Sequence, residues 1–344
     1  MKKLLALLLA LTMMLSLVSC AGGNNNDNPS STDAPSSTVS AFPMTVTDQA
    51  GRTVTIEKCP EKLVSGYYIS TSMLIALGLE DKLVGIEAKA NQRPIYKLSA
   101  PELINLPNVG TAKAFDLEGC LKLAPDLVIL PLKLKSAAED LEKLGIDVLL
   151  VNPEDQDLLM EMLDLLSKAT GTTERAKAMT DFIARQETYL NNTLKGTTAP
   201  SVYLAGNSSL LSTAGDAMYQ ADMIRMAGGK NAAASLTDTY WSEISYEQLL
   251  TWNPEYIILA SDATYSVDDV LNNKNLANCT AVKNKNVYQL PDKAEAWDSP
   301  VPSGILGSVW LANVLHADKV SSDNCNKVID EYYETFYGFT YSKN

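Results

Sequence analysis

The residues able to do chemistry in this chain are unevenly supplied. Among 344 residues there is one histidine, His316, and there are five arginines. A Ser–His–Asp relay needs an imidazole to move the proton, and a structural zinc site needs several thiolates or imidazoles at fixed spacing. One His, no Cys-x-x-Cys and no Gly-x-Ser-x-Gly argue against both. The chain is instead supplied with binding chemistry. Tyr67, Tyr68, Trp241 and Trp297 offer flat faces, and Arg93, Lys113 and Lys133 offer isolated cations. Aromatic faces cover ring systems, while guanidinium and ammonium groups neutralise carboxylate, catecholate or phosphate. These cations stand out because acids dominate: 28 Lys+Arg against 41 Asp+Glu give a formal net charge of −13. Such a surface repels phosphate backbones, so no nucleic-acid partner is expected. Met160, Met162, Met218, Met223 and Met226 fall on helical faces and read as packing rather than a metal box. His316 ends a helical run, where imidazole caps carbonyls well.

The elements that must position these residues follow from hydrophobic periodicity. Apolar residues make up 46% and charged residues 20%, the composition of a folded protein, and the length suggests about two domains. Met44–Lys58 alternates around Asp-Gln-Ala-Gly and predicts a β-hairpin. Short apolar runs at 62–65, 83–86, 127–130 and 147–151 then alternate with helical stretches at 70–79, 117–123, 136–144 and 156–168. After Gly171 the segment 174–194, rich in Ala, Glu, Lys, Arg and Met, predicts one helix of roughly 30 Å. Alternation resumes with strands at 202–205, 256–259 and 287–290 and helices at 219–226, 246–251, 305–315 and 323–336. Strand–helix alternation predicts an α/β fold with parallel strands. In open α/β sheets ligands sit beyond the carboxyl ends of the strands, which selects the loops at 66–68, 89–93, 111–113, 133–135, 206–209, 240–241, 261–262 and 296–303. Basic loops in one half facing aromatic loops in the other suit a large, flat or anionic chelate.

The N-terminus reads as an address. Lys2 and Lys3 precede an apolar run from Leu4 to Val18, too short to span a bilayer comfortably. Leu17-Val18-Ser19-Cys20-Ala21 resembles a lipobox, which implies a signal peptide over 1–19 and lipid on Cys20. Residues 20–40 are rich in Ser, Asn, Gly and Pro and read as a flexible tether. Export leaves Cys59, Cys120, Cys279 and Cys325 in an oxidising setting. An even number permits two disulfides; pairing within each half gives Cys59–Cys120 and Cys279–Cys325, and four free thiols is the alternative.

The sharpest internal signal is a repeat. Residues 117–130, LEGCLKLAPDLVIL, align without gaps on 246–259, YEQLLTWNPEYIIL. In each, a Glu opens a short helix and a Pro–acid pair stops it and launches an apolar strand. These stretches, together with Val46–Arg52, Ala76–Leu79, Asn108–Thr111, Gly228–Asn231 and Trp310–Leu315, resemble the substrate-binding lipoproteins of ABC importers for ferric siderophores, haem and cobalamin.

That resemblance implies two Rossmann-like lobes, 41–171 and 197–344, joined by a single long α-helix within 172–196. It implies a protein that is not an enzyme and holds no cofactor. Its expected place is the outer face of the cytoplasmic membrane, lipid-anchored. The implied partners are an ABC permease with its ATPase, the membrane through the lipid, and a small-molecule metal chelate; a monomer is expected. In that family one Glu on each lobe docks on permease arginines, and these map onto Glu118 and Glu247. The candidate ligand-binding residues are Tyr67, Tyr68, Arg93, Lys113, Lys133, Trp241, Trp297 and Ser303, with Trp241 at a cleft position of the family. An iron chelate of siderophore type is the leading expectation. Ala112 stands where cobalamin binders carry Trp, and Ser303 where siderophore binders often carry Arg. Ala100–Leu103 is similar to relatives that bind molybdate. Cobalamin, haem and a small oxyanion therefore stay open, as does a surface haem-binding or sensor protein without a transporter. One continuous interlobe helix predicts small closure on ligand.

Overall fold

The computed structural model describes residues 42–237 and 240–344. The expected signal peptide, Cys20 and the tether lie outside the described residues. The chain opens with the hairpin β1 (Met44–Thr47) and β2 (Thr53–Ile56). Buried Asp48 holds its turn, accepting from the amides of Ala50 and Arg52 and from the Arg52 guanidinium at 2.6 Å. The same carboxylate accepts from the Leu150 amide, which pins the hairpin to the adjoining sheet.

The first lobe alternates as its periodicity predicts. It comprises β3 (Leu63–Ser65), α1 (Tyr68–Ala76), β4 (Leu83–Ile86), α2 (Pro94–Ser99), a small ribbon of β5 (Gly110–Thr111) and β6 (Ala114–Phe115), α3 (Leu117–Lys122), β7 (Leu127–Pro131), α4 (Lys135–Lys143), β8 (Asp147–Val151) and α5 (Gln156–Thr170). Its four-stranded sheet has order β4-β3-β7-β8, all parallel. Strand β7 is buried along its whole length, the signature of a parallel strand covered on both faces.

Helix α6 (Thr173–Thr193) follows, 21 residues long and so about 30 Å. The second lobe runs β9 (Ser201–Ala205), β10 (Ser212–Thr213), α7 (Tyr219–Met226), β11 (Lys230–Asn231), β12 (Ser242–Glu243), α8 (Tyr246–Trp252), β13 (Tyr256–Leu259), α9 (Val267–Leu271), α10 (Thr280–Lys283), β14 (Val287–Gln289), α11 (Ile305–Leu315) and α12 (Ser322–Tyr337). Its sheet has order β12-β10-β9-β13-β14, with β11 also on β9; β13 runs parallel to both β9 and β14. The architecture is two Rossmann-like lobes bridged by one long helix. Arg175 near the start of α6 donates to the carbonyls of Ala76, Thr335 and Phe336, joining the ends of α1 and α12.

The disulfide expectation is corrected. All four described cysteines are free. Cys120, Cys279 and Cys325 are buried in three separate hydrophobic clusters, and Cys59 is half-buried with its thiol toward the Thr170 carbonyl. Each of the three buried thiols serves as a small apolar group in its own core.

Candidate ligand-binding cleft

The cleft lies where the topology places it, beyond the carboxyl ends of both sheets. Tyr67 and Tyr68 leave β3 through Gly66, where a Cβ would come 2.6 Å from Leu130 Cδ2. The hydroxyls of Ser65 and Ser70 donate to the Tyr67 carbonyl and hold this turn as α1 begins. Arg93 follows β4, Pro153–Asp155 follow β8, Ser261 and Asp262 follow β13, and the segment from Asp292 to Val301 follows β14.

Two compartments adjoin along Tyr68 and Ser299. The outer one, about 380 Å³, is walled by Tyr67, Tyr68, Tyr240 and Trp241 with Glu154 and Asp155. The Trp241 indole approaches β9 closely because residue 206 is Gly; a Cβ there would stand 3.1 Å from the ring. The inner one, about 300 Å³, is lined by Arg93 and Tyr96 from the first lobe and by Ser261, Asp262, Asp292 and Glu295 from the second. The Arg93 guanidinium sits 4.1 Å over the Tyr68 ring, a cation–π contact, and its Nε is buried with no hydrogen-bond partner. Burial raises the Tyr67 and Tyr68 phenols above their ordinary value, and the Arg93 charge offsets only part of that. Both rings therefore present protonated hydroxyls to the cleft.

Behind the wall hydroxyls stand buried acids. Glu87 accepts from Thr71 at 2.6 Å and Tyr96 at 2.7 Å. Glu295 accepts from Ser72 of α1 and Ser303 of the second lobe, both at 2.5 Å. Asp298 accepts from Ser261 at 2.6 Å. Desolvation by burial raises all three carboxyls, and the hydroxyl hydrogen bonds hold them down in part. Among the described residues no group of three or more acids, Cys and His is placed to hold a metal ion.

Of the residues expected from sequence, the structure brings Tyr67, Tyr68, Arg93 and Trp241 together in the cleft. Lys113 stands exposed on the β5–β6 turn, and Lys133 is exposed where the chain after β7 coils to bury Leu134. Neither lines either compartment. Trp297 is corrected to core: it is fully buried, donates Nε1–H to the Tyr333 hydroxyl at 2.9 Å and packs on Tyr341. Ser303 is likewise buried, holding Glu295 rather than facing the cleft. Sequence reasoning missed Tyr96, Glu87 and Glu295 and gave Asp298, inside the selected loop 296–303, no role of its own; an acid inside an otherwise apolar run, as in Ala294-Glu295-Ala296-Trp297, was the available signal.

The repeated motif is one structure used twice. Asp116 caps α3 through the Gly119 amide, and Ser245 caps α8 through the Gln248 amide. The helices end in left-handed residues at equivalent positions, Ala124 (φ 48°) and Asn253 (φ 45°). Asp126 accepts from the amides of Glu61 and Lys62, and Glu255 from that of Ser201, so each acid ties its motif to the neighbouring strand. Glu118 and Glu247 are exposed in the first turns. Backbone and Ser245 hydrogen bonds hold the Glu247 carboxyl below its ordinary value.

Residues 63–294 match the family described as periplasmic binding protein. The chain belongs to the periplasmic binding protein family. The molybdate-binding protein MolA of Haemophilus influenzae is 27% identical over 323 residues, covering 86% of this chain and 91% of its own. YvrC of Bacillus subtilis, described as an ABC transporter substrate-binding lipoprotein, is 27% identical over 299 residues, 81% of this chain and 88% of its own. A crystal structure of a periplasmic solute-binding protein from Veillonella parvula superposes with a TM-score of 0.76 at 27% identity, covering 86% of this chain and 93% of the other. This periplasmic binding protein is accordingly a solute-binding protein of ABC transport and not an enzyme. No helix among its described residues is long and apolar enough to cross a membrane.

Proposed function

We propose that this protein captures a metal chelate, an iron complex of siderophore type, between its lobes and delivers it to an ABC permease with its ATPase. Lipid on Cys20 would anchor it to the outer face of the membrane, and Glu118 and Glu247 would dock it. The observation that carries the ligand class is the aromatic outer compartment opening onto Arg93. Four rings around about 380 Å³ suit the ligand framework of a chelate and offer little to a bare oxyanion. A second reading, a small oxyanion, draws on the relation to a molybdate-binding protein and on the unpartnered Arg93 Nε in the inner compartment.

Intrinsic Trp fluorescence of the soluble body (residues 41–344) decides between them. Trp241 is 40% exposed on the cleft wall, whereas Trp297 is fully buried. Saturable quenching by a ferric chelate, weakened at least tenfold in affinity by Trp241→Ala, is expected. Response to molybdate alone, unchanged by Trp241→Ala, would replace the chelate with the oxyanion.

A further inference from the structure

The charge and hydrogen-bond polarity of the inner compartment narrow the ligand further. Among the described lining residues of the two compartments Arg93 is the one cation, against Asp262, Asp292 and Glu295 within and Glu154 and Asp155 outside. The lysines that would have made the cleft basic stand elsewhere, and Lys293, beside the inner compartment, turns to the Tyr341 carbonyl at 2.7 Å. Three wall hydroxyls are already directed. Tyr96 donates to Glu87, Ser72 to Glu295 and Ser261 to Asp298. A hydroxyl whose proton is committed to a carboxylate has no donor left for a ligand. The exposed carboxylates of Asp262 and Asp292 on the lining therefore ask a ligand for N–H or ammonium donors, while Arg93 keeps an unpartnered Nε–H for an anionic oxygen.

From this we infer that the cleft selects a metal chelate of neutral or net positive charge that carries a protonated amine or similar N–H donor arm, and discriminates against polyanionic chelates. The chelate body lies in the aromatic outer compartment. Its donor arm enters the acid-lined inner compartment, and one chelating oxygen faces Arg93. The inference rests on the chelate reading above. A polyanion would bring like charge to the four carboxylates of Asp262, Asp292, Glu154 and Asp155 with one guanidinium to offset them, and like-charge juxtaposition is an efficient means of rejection.

The test uses three ferric probes and the fluorescence titration: a linear trihydroxamate with a free terminal ammonium, the same chelate N-acetylated, and a trianionic tricatecholate. The ammonium form is expected to bind at least tenfold tighter than the acetylated form, and the tricatecholate weakest. Asp262→Asn combined with Asp292→Asn, two exposed positions that do not threaten folding, should reduce the preference for the ammonium form to under threefold. Glu295→Gln should act in the same direction. Equal binding of the ammonium and acetylated forms, or tightest binding of the tricatecholate, overturns the inference and leaves the chelate reading standing. Binding of none of the three overturns both.

Discussion

At the scale of single residues, burial decides roles that residue type leaves open. Trp241 and Trp297 are equivalent as letters, yet one walls the cleft and the other donates a hydrogen bond inside the C-terminal aromatic cluster. The cysteines show the same effect. Burial pushes the Cys120 and Cys325 thiols up to about 11, which suppresses the thiolate that reacts. A thiol reagent applied to the native soluble body at pH 8 should modify Cys59 first and leave Cys120, Cys279 and Cys325 protected until denaturant is added. Mass spectrometry of the tryptic peptides reads this directly; rapid labelling of Cys120 in the native state would contradict the packing described.

At the scale of elements, the two copies of the helix–Pro–acid–strand motif differ in one informative way. Both end in a left-handed residue, but Ala124 carries a Cβ with no polar group to compensate, while Asn253 tolerates this conformation and caps Thr280. Ala124→Gly should raise the unfolding free energy by roughly 0.5–1 kcal/mol, and Asn253→Gly should not raise it. Chemical denaturation of both variants checks this. The motif also sets a Glu on the first turn of each lobe's exposed helix. Charge reversal of both, Glu118→Lys with Glu247→Lys, should abolish uptake in cells while leaving chelate affinity within twofold, because neither lines the cleft. Uptake that survives the double reversal would remove the docking assignment. A permease that reads two carboxylates at fixed separation gains orientation as well as affinity.

For the molecule as a whole, the lobes are held by more than the long helix. Ser72 on α1 meets Glu295 of the second lobe, Tyr337 on α12 lies 2.9 Å from Ser72, and Ser99 donates to the Tyr337 carbonyl. Arg175 closes the same junction from α6. Such ties favour a small closure over a wide hinge. They also make stability respond to pH. Glu87, Glu295 and Asp298 have carboxyls raised by burial, so the folded state holds their protons more readily than the unfolded chain does. Their contribution is complete below the ordinary carboxylate range and is lost as pH rises through the raised values. Unfolding free energy should therefore fall as pH rises above the ordinary carboxylate range, and Glu295→Gln should flatten that slope. A slope identical to wild type would show that Glu295 does not titrate in this window. Asp126 works with the opposite sign: burial pulls it up, but amide hydrogen bonds from Glu61 and Lys62 and the charge of Lys58 outweigh that and lower it, so its contribution disappears only in acid.

The sequence by itself determined the alternation of strands and helices, the single long helix and the duplicated motif. These are local quantities, set by hydrophobic period, capping residues and composition, and each survives in the fold within about three residues, the largest difference being the helix expected to run to Leu79 that ends at Ala76. Short elements escaped it: α2, α9 and α10 and the two-residue strands carry too few residues for a period to register. Half of the site was legible as well, because loops after strands open onto the cleft wherever the sheet is parallel, which placed Tyr67, Tyr68, Arg93 and Trp241. Only the tertiary structure decided the sign of the cleft. Lys113 and Lys133 point to solvent, Trp297 and Ser303 turn inward, and Glu295 meets Ser72 from 223 positions away in the chain. Desolvation and hydrogen-bond partnership are properties of the assembled surroundings, and no spacing along the chain encodes them.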